Sequence, residues 1–436
     1  MKMRCLAFSA VLLASVTLAH AQAPVKPGRE DLLQARDTLH RILQENIIPF
    51  WMTTIDREQG GYNLNHDVNG KYLGASTRTL VTQARTVWFF SRLANSPYAG
   101  AQRKEYLEAA RIGYEFLRDH MYDKEHGGFY TAMSPTGKGA TTYKHLYGQG
   151  FALYALTEYG QATGKREPRR LARTLFRTLE ERAHDARHGG YRELFQRDWS
   201  LPPQDARSYM GVGPDIKLYN THLHLLEPVT TYYRATRDPL ARERLLELLT
   251  ILSNTIVRKD LGACTDKFAL DWTPLLTPEY AVVSYGHDIE NVWLVMEAAK
   301  AAGLPSSLFR DLYTTLYDYS LQYGWDEQNG GFYYWGPFRA PAKNLEKSWW
   351  VQAETLVSAL RMYEFTNDPK YFAIFDKTLD WLVNHQIDWK NGDWFADILP
   401  NGTARGQKAG PWKSPYHNGR TMIECLTTLD ALLAKK

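Results

Sequence analysis

Asp123-Lys124-Glu125-His126-Gly127-Gly128-Phe129 is one copy of a motif that also stands at Asp56/Gly60, Asp185/Gly189, Asp326/Gly330 and Asp388/Gly392. A second glycine and an aromatic residue follow in most copies, as at Tyr191 and Phe332. The period is about 60–70 residues, doubled once, which is the signature of a repeat architecture. The gap falls at Leu261-Gly262-Ala263, where a degenerate copy completes six units. The paired glycines predict tight turns with positive φ. Out of phase with them lie proline turns at Ser96-Pro97, Glu167-Pro168, Asp238-Pro239, Leu304-Pro305 and Asp368-Pro369.

Between these two kinds of punctuation, apolar residues recur every three or four positions, as in Tyr106, Ala110, Tyr114, Leu117 and Met121, which predicts helices. The helix after each proline turn has a charged face, as over 104–121 and 240–258. The helix before it is apolar nearly all round, as in Phe151-Ala-Leu-Tyr-Ala-Leu and Val292-Trp-Leu-Val-Met. The expected fold is therefore all-α: six helix pairs with an outer and an inner ring, closed as an (α/α)6 barrel. Proline suits the first turn of each outer helix. The glycine segments form small hairpins over one mouth, where all inner helices begin.

The chain opens with Met1-Lys2-Met3-Arg4, an apolar run from Leu6 to Leu18, and Ala19-His20-Ala21, which reads as a secretory signal cleaved after Ala21. Residues 1–21 are set apart from the fold, and 22–436 are read as one domain. The expected location is periplasmic or secreted. No later stretch approaches the ~20 apolar residues of a membrane span, and no cysteine follows the cleavage site to carry a lipid. Loss of Lys2 and Arg4 lowers the net charge from +4 to +2, without the basic run that nucleic acid requires. Cys264 and Cys425 lack metal-ligand spacing, and a disulfide between them is open but not indicated.

The polar residues least like ordinary surface stand near the starts of the inner segments. They are Arg85, Tyr147, Asn220, His224, Glu227, His287, Glu290, Trp350, Glu354, Trp412 and His417. In a ring they converge on one cavity, at helix N-termini whose partial positive charge favours an anionic ligand or intermediate. His287 and Glu290 lie three apart and share a helical face, where a carboxylate raises the basicity of an imidazole. Asn220, His224 and Glu227 also share a face, from which His222 turns away as a packing residue. Pro228 is expected to kink the helix directly beneath His224. His-x-x-Glu is also half of many metal sites, but its companion ligands are missing, so no metal is expected. With no Gly-x-Gly-x-x-Gly following a strand, no nucleotide cofactor is expected either.

The stretches Thr82–Arg85, Tyr147–Ala152, Asn220–Glu227, Gly286–Glu290, Lys347–Glu354 and Pro411–His417 together resemble the N-acylglucosamine 2-epimerase superfamily, closest to its cellobiose and mannobiose 2-epimerase branch. The resemblance implies cofactor-independent inversion at C2 of a reducing-end aldose. It makes His287 and His417 the acid/base pair on opposite faces, with His224 assisting at the carbonyl. Arg85 would stabilise a cis-enediolate and Glu290 would tune His287. Trp350 and Trp412 would stack on sugar rings, while Asn220, Tyr147 and Glu354 would bind substrate. The chemistry asks for the same parts: a base, an acid on the other face, and fixed positive charge for the enediolate.

Three alternatives stay open. An aldose–ketose isomerase uses the same enediolate and returns the proton to C1. An inverting glycoside hydrolase would use two carboxylates several ångströms apart, from Asp215, Asp288, Glu290 and Glu354. A silent sugar-binding protein would not need both histidines. The choice among cellobiose, mannobiose and free mannose or glucose rests with loops 55–75, 185–215 and 330–346.

Overall fold

The computed structural model describes residues 24–435, so the segment read as an export signal lies outside them. Among the described residues there are twelve helical stretches. The odd-numbered ones are α1 (29–53), α3 (103–121), α5 (Arg166–Arg182), α7 (239–255), α9 (Arg310–Gly324) and α11 (369–386). The even-numbered ones are α2 (Leu80–Asn95), α4 (Leu146–Thr163), α6 (Tyr219–Thr236), α8 (Tyr285–Ala302), α10 (Trp349–Thr366) and α12 (His417–Ala434). None of the helices is long and apolar enough to cross a membrane.

Each even-numbered helix packs on the next, and α12 packs back on α2, so these contacts return to their start. The odd-numbered helices lie outside, each against one or two even-numbered ones. Burial follows from the residues. In α4 almost every side chain is buried, whereas α5 buries a stripe of Pro168, Ala172, Leu175, Phe176 and Leu179, the spacing of a one-faced helix. The proline turns start outer helices: Asp238 and Asp368 accept from the amides of Leu240 and Lys370, with proline at the first helical position. α1 packs on α12, where Arg36 Nε lies 2.6 Å from Asp430 Oδ1.

The glycine motif forms a clamped turn. Asp185 accepts from the amides of Arg187 and His188 at 3.1 and 3.3 Å and from Lys217 Nζ at 2.8 Å. Arg78, Lys144, Lys347 and Lys408 reach Asp56, Asp123, Asp326 and Asp388 in the same way. The fourth residue of the following inner helix then grips the backbone of the aromatic. Gln149 accepts from Phe129 N at 2.9 Å and donates to its carbonyl at 2.8 Å, and Gln83 and Gln352 do the same to Tyr62 and Phe332. His222 takes this place in α6, accepting from Tyr191 N at 3.0 Å, so its turning away from the cavity has a structural purpose. A Cβ on Gly190, whose φ is +69°, would come within 2.5 Å of the Trp272 ring and 2.8 Å of His222.

The strand before each of the first five inner helices pairs antiparallel with a short strand of the next unit. Lys144–His145 pairs with Leu194–Phe195, and Ile216–Leu218 with Lys267–Ala269. A bridge between His66 and Ala409 joins the first unit to the last. The degenerate copy is a hairpin of Val257–Arg258 and Ala263–Cys264, turned at Gly262 with φ +83°. There Asp288, the fourth residue of α8, accepts from Cys264 N at 3.1 Å.

One expectation needs correction: the outer helix read as 240–258 gives way to strand at Val257, because its last turns feed that hairpin. α6 runs on across Pro228, and His224 reaches the cavity described below. Cys264 and Cys425, between which the sequence leaves a disulfide open but not indicated, are both buried free thiols.

Lys217 is fully buried and donates to Asp185, to Gly189 O at 2.6 Å and to Leu270 O at 2.8 Å. Replacing it by methionine strands a buried carboxylate and two carbonyls. The Lys217→Met variant is expected to lose about 3–5 kcal/mol of unfolding free energy, read from its urea midpoint.

Candidate active site

Residues from the first turns of adjacent inner helices meet, as Arg85 with Tyr147 and Glu354 with Arg420, so these helices begin at one end of the molecule. Counted from the helix start, the sixth residues are Arg85, Phe151, His224, Glu290 and Glu354. α12 begins two residues later in this register, so Arg420 stands in the sixth place. One layer of the ring thus carries two guanidiniums, two carboxyls and an imidazole.

Above this layer is a cavity of about 410 Å³. Of the eleven residues expected to converge here, eight line it: Arg85, Tyr147, Asn220, His224, His287, Trp350, Trp412 and His417, while Glu227, Glu290 and Glu354 do not. The three imidazoles are neighbours, with the His224 ring 6.3 Å from His287 and 6.1 Å from His417, centre to centre. Trp350 lies 4.7 Å from His287 and 5.7 Å from His417. Tyr147 accepts from Arg85 Nη2 at 2.8 Å. Asn220 Oδ1 has no hydrogen-bond partner among the described residues, which leaves an acceptor for a ligand hydroxyl. Trp412 stands at the rim, 44% exposed.

The carboxylates lie behind the histidines. His417 Nδ1 is 2.7 Å from Glu354 Oε1, and His224 Nδ1 is 2.8 Å from Glu227 Oε1. Each bond occupies the inner ring nitrogen and leaves Nε2 as the second nitrogen of the imidazole. Glu354 is fully buried in this supporting position and does not line the cavity, so its expected contact with substrate is replaced by a bond to His417. Glu290 is also buried away from the cavity. It accepts from Arg420 Nη2 at 2.7 Å and lies 4.0 Å from His224 and His417, instead of hydrogen-bonding His287. Sharing a helical face with His287 did not make the two partners, because Arg420 offers Glu290 a stronger charge-assisted bond.

Arg420 was overlooked as a site residue. It donates to Glu290 and Glu354 at 2.7 Å and also to Glu227. Its signal was its place in the sixth-residue layer. Glu346 and Asp397 also line the cavity. Glu346 comes from a loop and Asp397 from a short strand paired with Lys347–Ser348, where the sequence carries no helical register. Asp288 serves its clamp and does not line the cavity.

Electrostatics follow from burial. Desolvation, with His224 nearby, pushes the His287 ring down to about 4. Burial, then Arg85 and Arg420, holds His417 well below its ordinary value, and burial also lowers His224 despite the bond to Glu227. Burial and the Glu354 charge push Glu290 far above the carboxylate range. Burial raises Glu227 too, but Arg420 and His224 outweigh it and keep that carboxylate ionised. All three imidazoles are therefore biased toward the neutral form, beside fixed positive charge from Arg85. The ligand atoms of His224, His287 and Glu290, and of Glu290, Glu354 and His417, lie within 4.8 Å of one another. Arg420 already places a permanent cation against the carboxyls of both groups, so the set is arranged for handling protons.

A family model described as N-acylglucosamine 2-epimerase matches residues 60–420. The chain is 31% identical over 395 residues to a cellobiose 2-epimerase of Bacteroides fragilis, covering 90% of this chain and 98% of that protein. It is 24% identical over 402 residues to a D-mannose isomerase of Marinomonas mediterranea, covering 89% and 96%. The solved cellobiose 2-epimerase of Spirochaeta thermophila superposes with a TM-score of 0.82 at 32% identity, over 93% of this chain and 99% of that one. With a family match across most of its length and relatives above 30% identity, the chain is a carbohydrate epimerase, a kind of isomerase, and belongs to the N-acylglucosamine 2-epimerase family.

Proposed function

We propose that this chain inverts C2 of a reducing-end aldose through a cis-enediolate, with His287 and His417 exchanging protons on opposite faces of the sugar. The observation that carries this reading is three imidazoles lining one cavity, two of them in contact with Trp350. One neutral ring removes the C2 proton and becomes an imidazolium. The other, entering the step protonated, returns a proton to the opposite face. Glu354 supplies the counter-charge for His417, and Arg85 faces the enediolate oxygens. His224 holds the carbonyl end, Tyr147 and Asn220 receive hydroxyls, and Trp350 and Trp412 offer ring faces. The ring of helices is read as an (α/α)6 barrel and 22–436 as one domain. The relatives' names favour cellobiose or a similar β-linked disaccharide. No metal and no cofactor enters the steps.

A second reading, the aldose–ketose isomerase, is favoured by the likeness to a D-mannose isomerase. It shares the enediolate and differs in where the proton returns.

The test is incubation with cellobiose, mannobiose and mannose in deuterated water, followed by NMR. The epimerase reading expects an inverted aldose carrying deuterium at C2. Ketose signals would replace it with the isomerase, and cleavage without exchange would defeat both. His287→Ala and His417→Ala are each expected to cut kcat by about 10²–10⁴-fold with the helical fold kept, and full activity in either would undo the assignment of roles. Because burial depresses His287, its base form persists above its folded pKa and is lost as pH falls through it. The acid limb of kcat/KM is accordingly expected near pH 4 instead of the ordinary 6.5 of imidazole. Export with cleavage after Ala21 is part of the same proposal. N-terminal sequencing of protein recovered from the periplasm is expected to begin at Gln22, and an intact Met1 there would refute it.

A further inference from the structure

At the far end of the inner helices lies a second cavity of about 360 Å³. It is lined by residues from the later turns, among them Trp88, Tyr154, Gln161 and Thr231. Tyr154, Thr231, Arg234 and Glu424 also line a smaller chamber of about 50 Å³, whose other walls include Glu227 and Arg420. The two spaces together run from the rear surface to the back of the His224–Glu227 pair.

This passage is polar. Most charged groups round it are paired: Arg92 bonds Glu424 at 2.9 Å, Arg361 bonds Glu424 and Glu297 at 3.2 Å, and Arg234 bonds Glu297 at 2.8 Å. The buried Glu158 carboxylate accepts from Asn95 Nδ2 at 3.0 Å. Two deeply buried donors on its walls nevertheless lack a partner among the described residues: Trp88 Nε1, in a side chain 2% exposed, and Arg420 Nε, in one 1% exposed. Unpaired buried donors beside a space of this size call for water.

Such water has a task if the epimerase reading holds, and the inference rests on that reading for its purpose. Each turnover leaves the ring that acted as base protonated and the ring that acted as acid neutral, so the histidine cluster must be reset. The front is covered by sugar. We infer that the rear cavity is a water-filled proton passage, joining solvent to His224 through Glu227 while the front cavity is occupied. In the return step the protonated base ring passes its proton to Nε2 of His224, whose ring lies 6.3 Å from His287 and 6.1 Å from His417. Meanwhile the Nδ1–H bond of His224 breaks and that proton moves to Glu227 Oε1, 2.8 Å away. Glu227 releases the proton to chamber water, which carries it out as hydronium. The reverse sequence brings a proton from water through Glu227 to Nδ1, and the Nε2 proton passes to the ring that acted as acid. No electrons are transferred, and His224 and Glu227 end in their starting forms.

Thr231 lines both spaces and makes no side-chain hydrogen bond to a described residue, so it is the place to plug the passage. Exchange of the His224 ring N–H with solvent is read by NMR on protein labelled with ¹⁵N-histidine. Thr231→Leu, and independently Gln161→Trp at the exposed outer end, are expected to slow it by about ten-fold or more, while Thr231→Val, which keeps the space, leaves it unchanged. This measurement needs no turnover, so it decides on the passage even if no sugar is epimerised. With cellobiose as substrate, the plugs are further expected to lower kcat in step with the slowed exchange, since the reset takes place while sugar fills the front cavity. Unchanged exchange in a folded plug variant overturns the passage. Slowed exchange with kcat unchanged overturns its role in resetting.

Discussion

A single guanidinium, completely enclosed, sets the terms for the chemistry of this molecule. Arg420 touches Glu227, Glu290 and Glu354, and all four groups are withdrawn from water. Enclosing charge is costly unless it is matched with good geometry. Here the match is made by residues from four helices, with Glu227 one turn below the layer of the other three, so the arrangement exists only when the ring is assembled. Two of the same carboxylates then hold His224 and His417 by their inner nitrogens. Ion-pair matching and ring orientation are thus one arrangement, with Arg420 as the hub.

His287 is held differently. No described side chain bonds its ring. Its position comes from Trp350 beside it and from the Tyr219 hydroxyl, which donates to its backbone carbonyl at 2.8 Å. Two imidazoles are therefore tethered by anions and one is seated by packing. A tethered ring resists rotation, while a packed ring is held by its neighbours alone, and burial biases all three toward the neutral form. That asymmetry comes from the helices, before any ligand arrives.

Much of this was legible in the residues. The recurring Asp-x-x-x-Gly located the turns because a positive φ restricts the residue that can stand there, and periodic apolar residues located the helices. The eight cavity residues were recognisable because polar side chains at the starts of otherwise apolar helices have few other uses. What escaped notice depended on three dimensions. Whether Glu290 would serve His287 or Arg420 was decided by a helix 130 residues further on. Glu346 comes from a loop and Asp397 from a two-residue strand, where no helical register gives direction. Pro228 lies inside α6, which runs on across it between two neighbouring inner helices.

The last unit has a further meaning for how the molecule comes into being. α12 brings both His417 and Arg420, and α1 packs directly against it. A nascent chain leaves the ribosome from its N-terminal side, so eleven helices precede the one that neutralises three enclosed carboxyls. Until it arrives, Glu227, Glu290 and Glu354 face one another without their cation, and α1 has no partner on that flank. Competence therefore waits for α12: a copy that lacks it holds neither the closed ring of helices nor the assembled cluster of Arg420 and its three carboxyls.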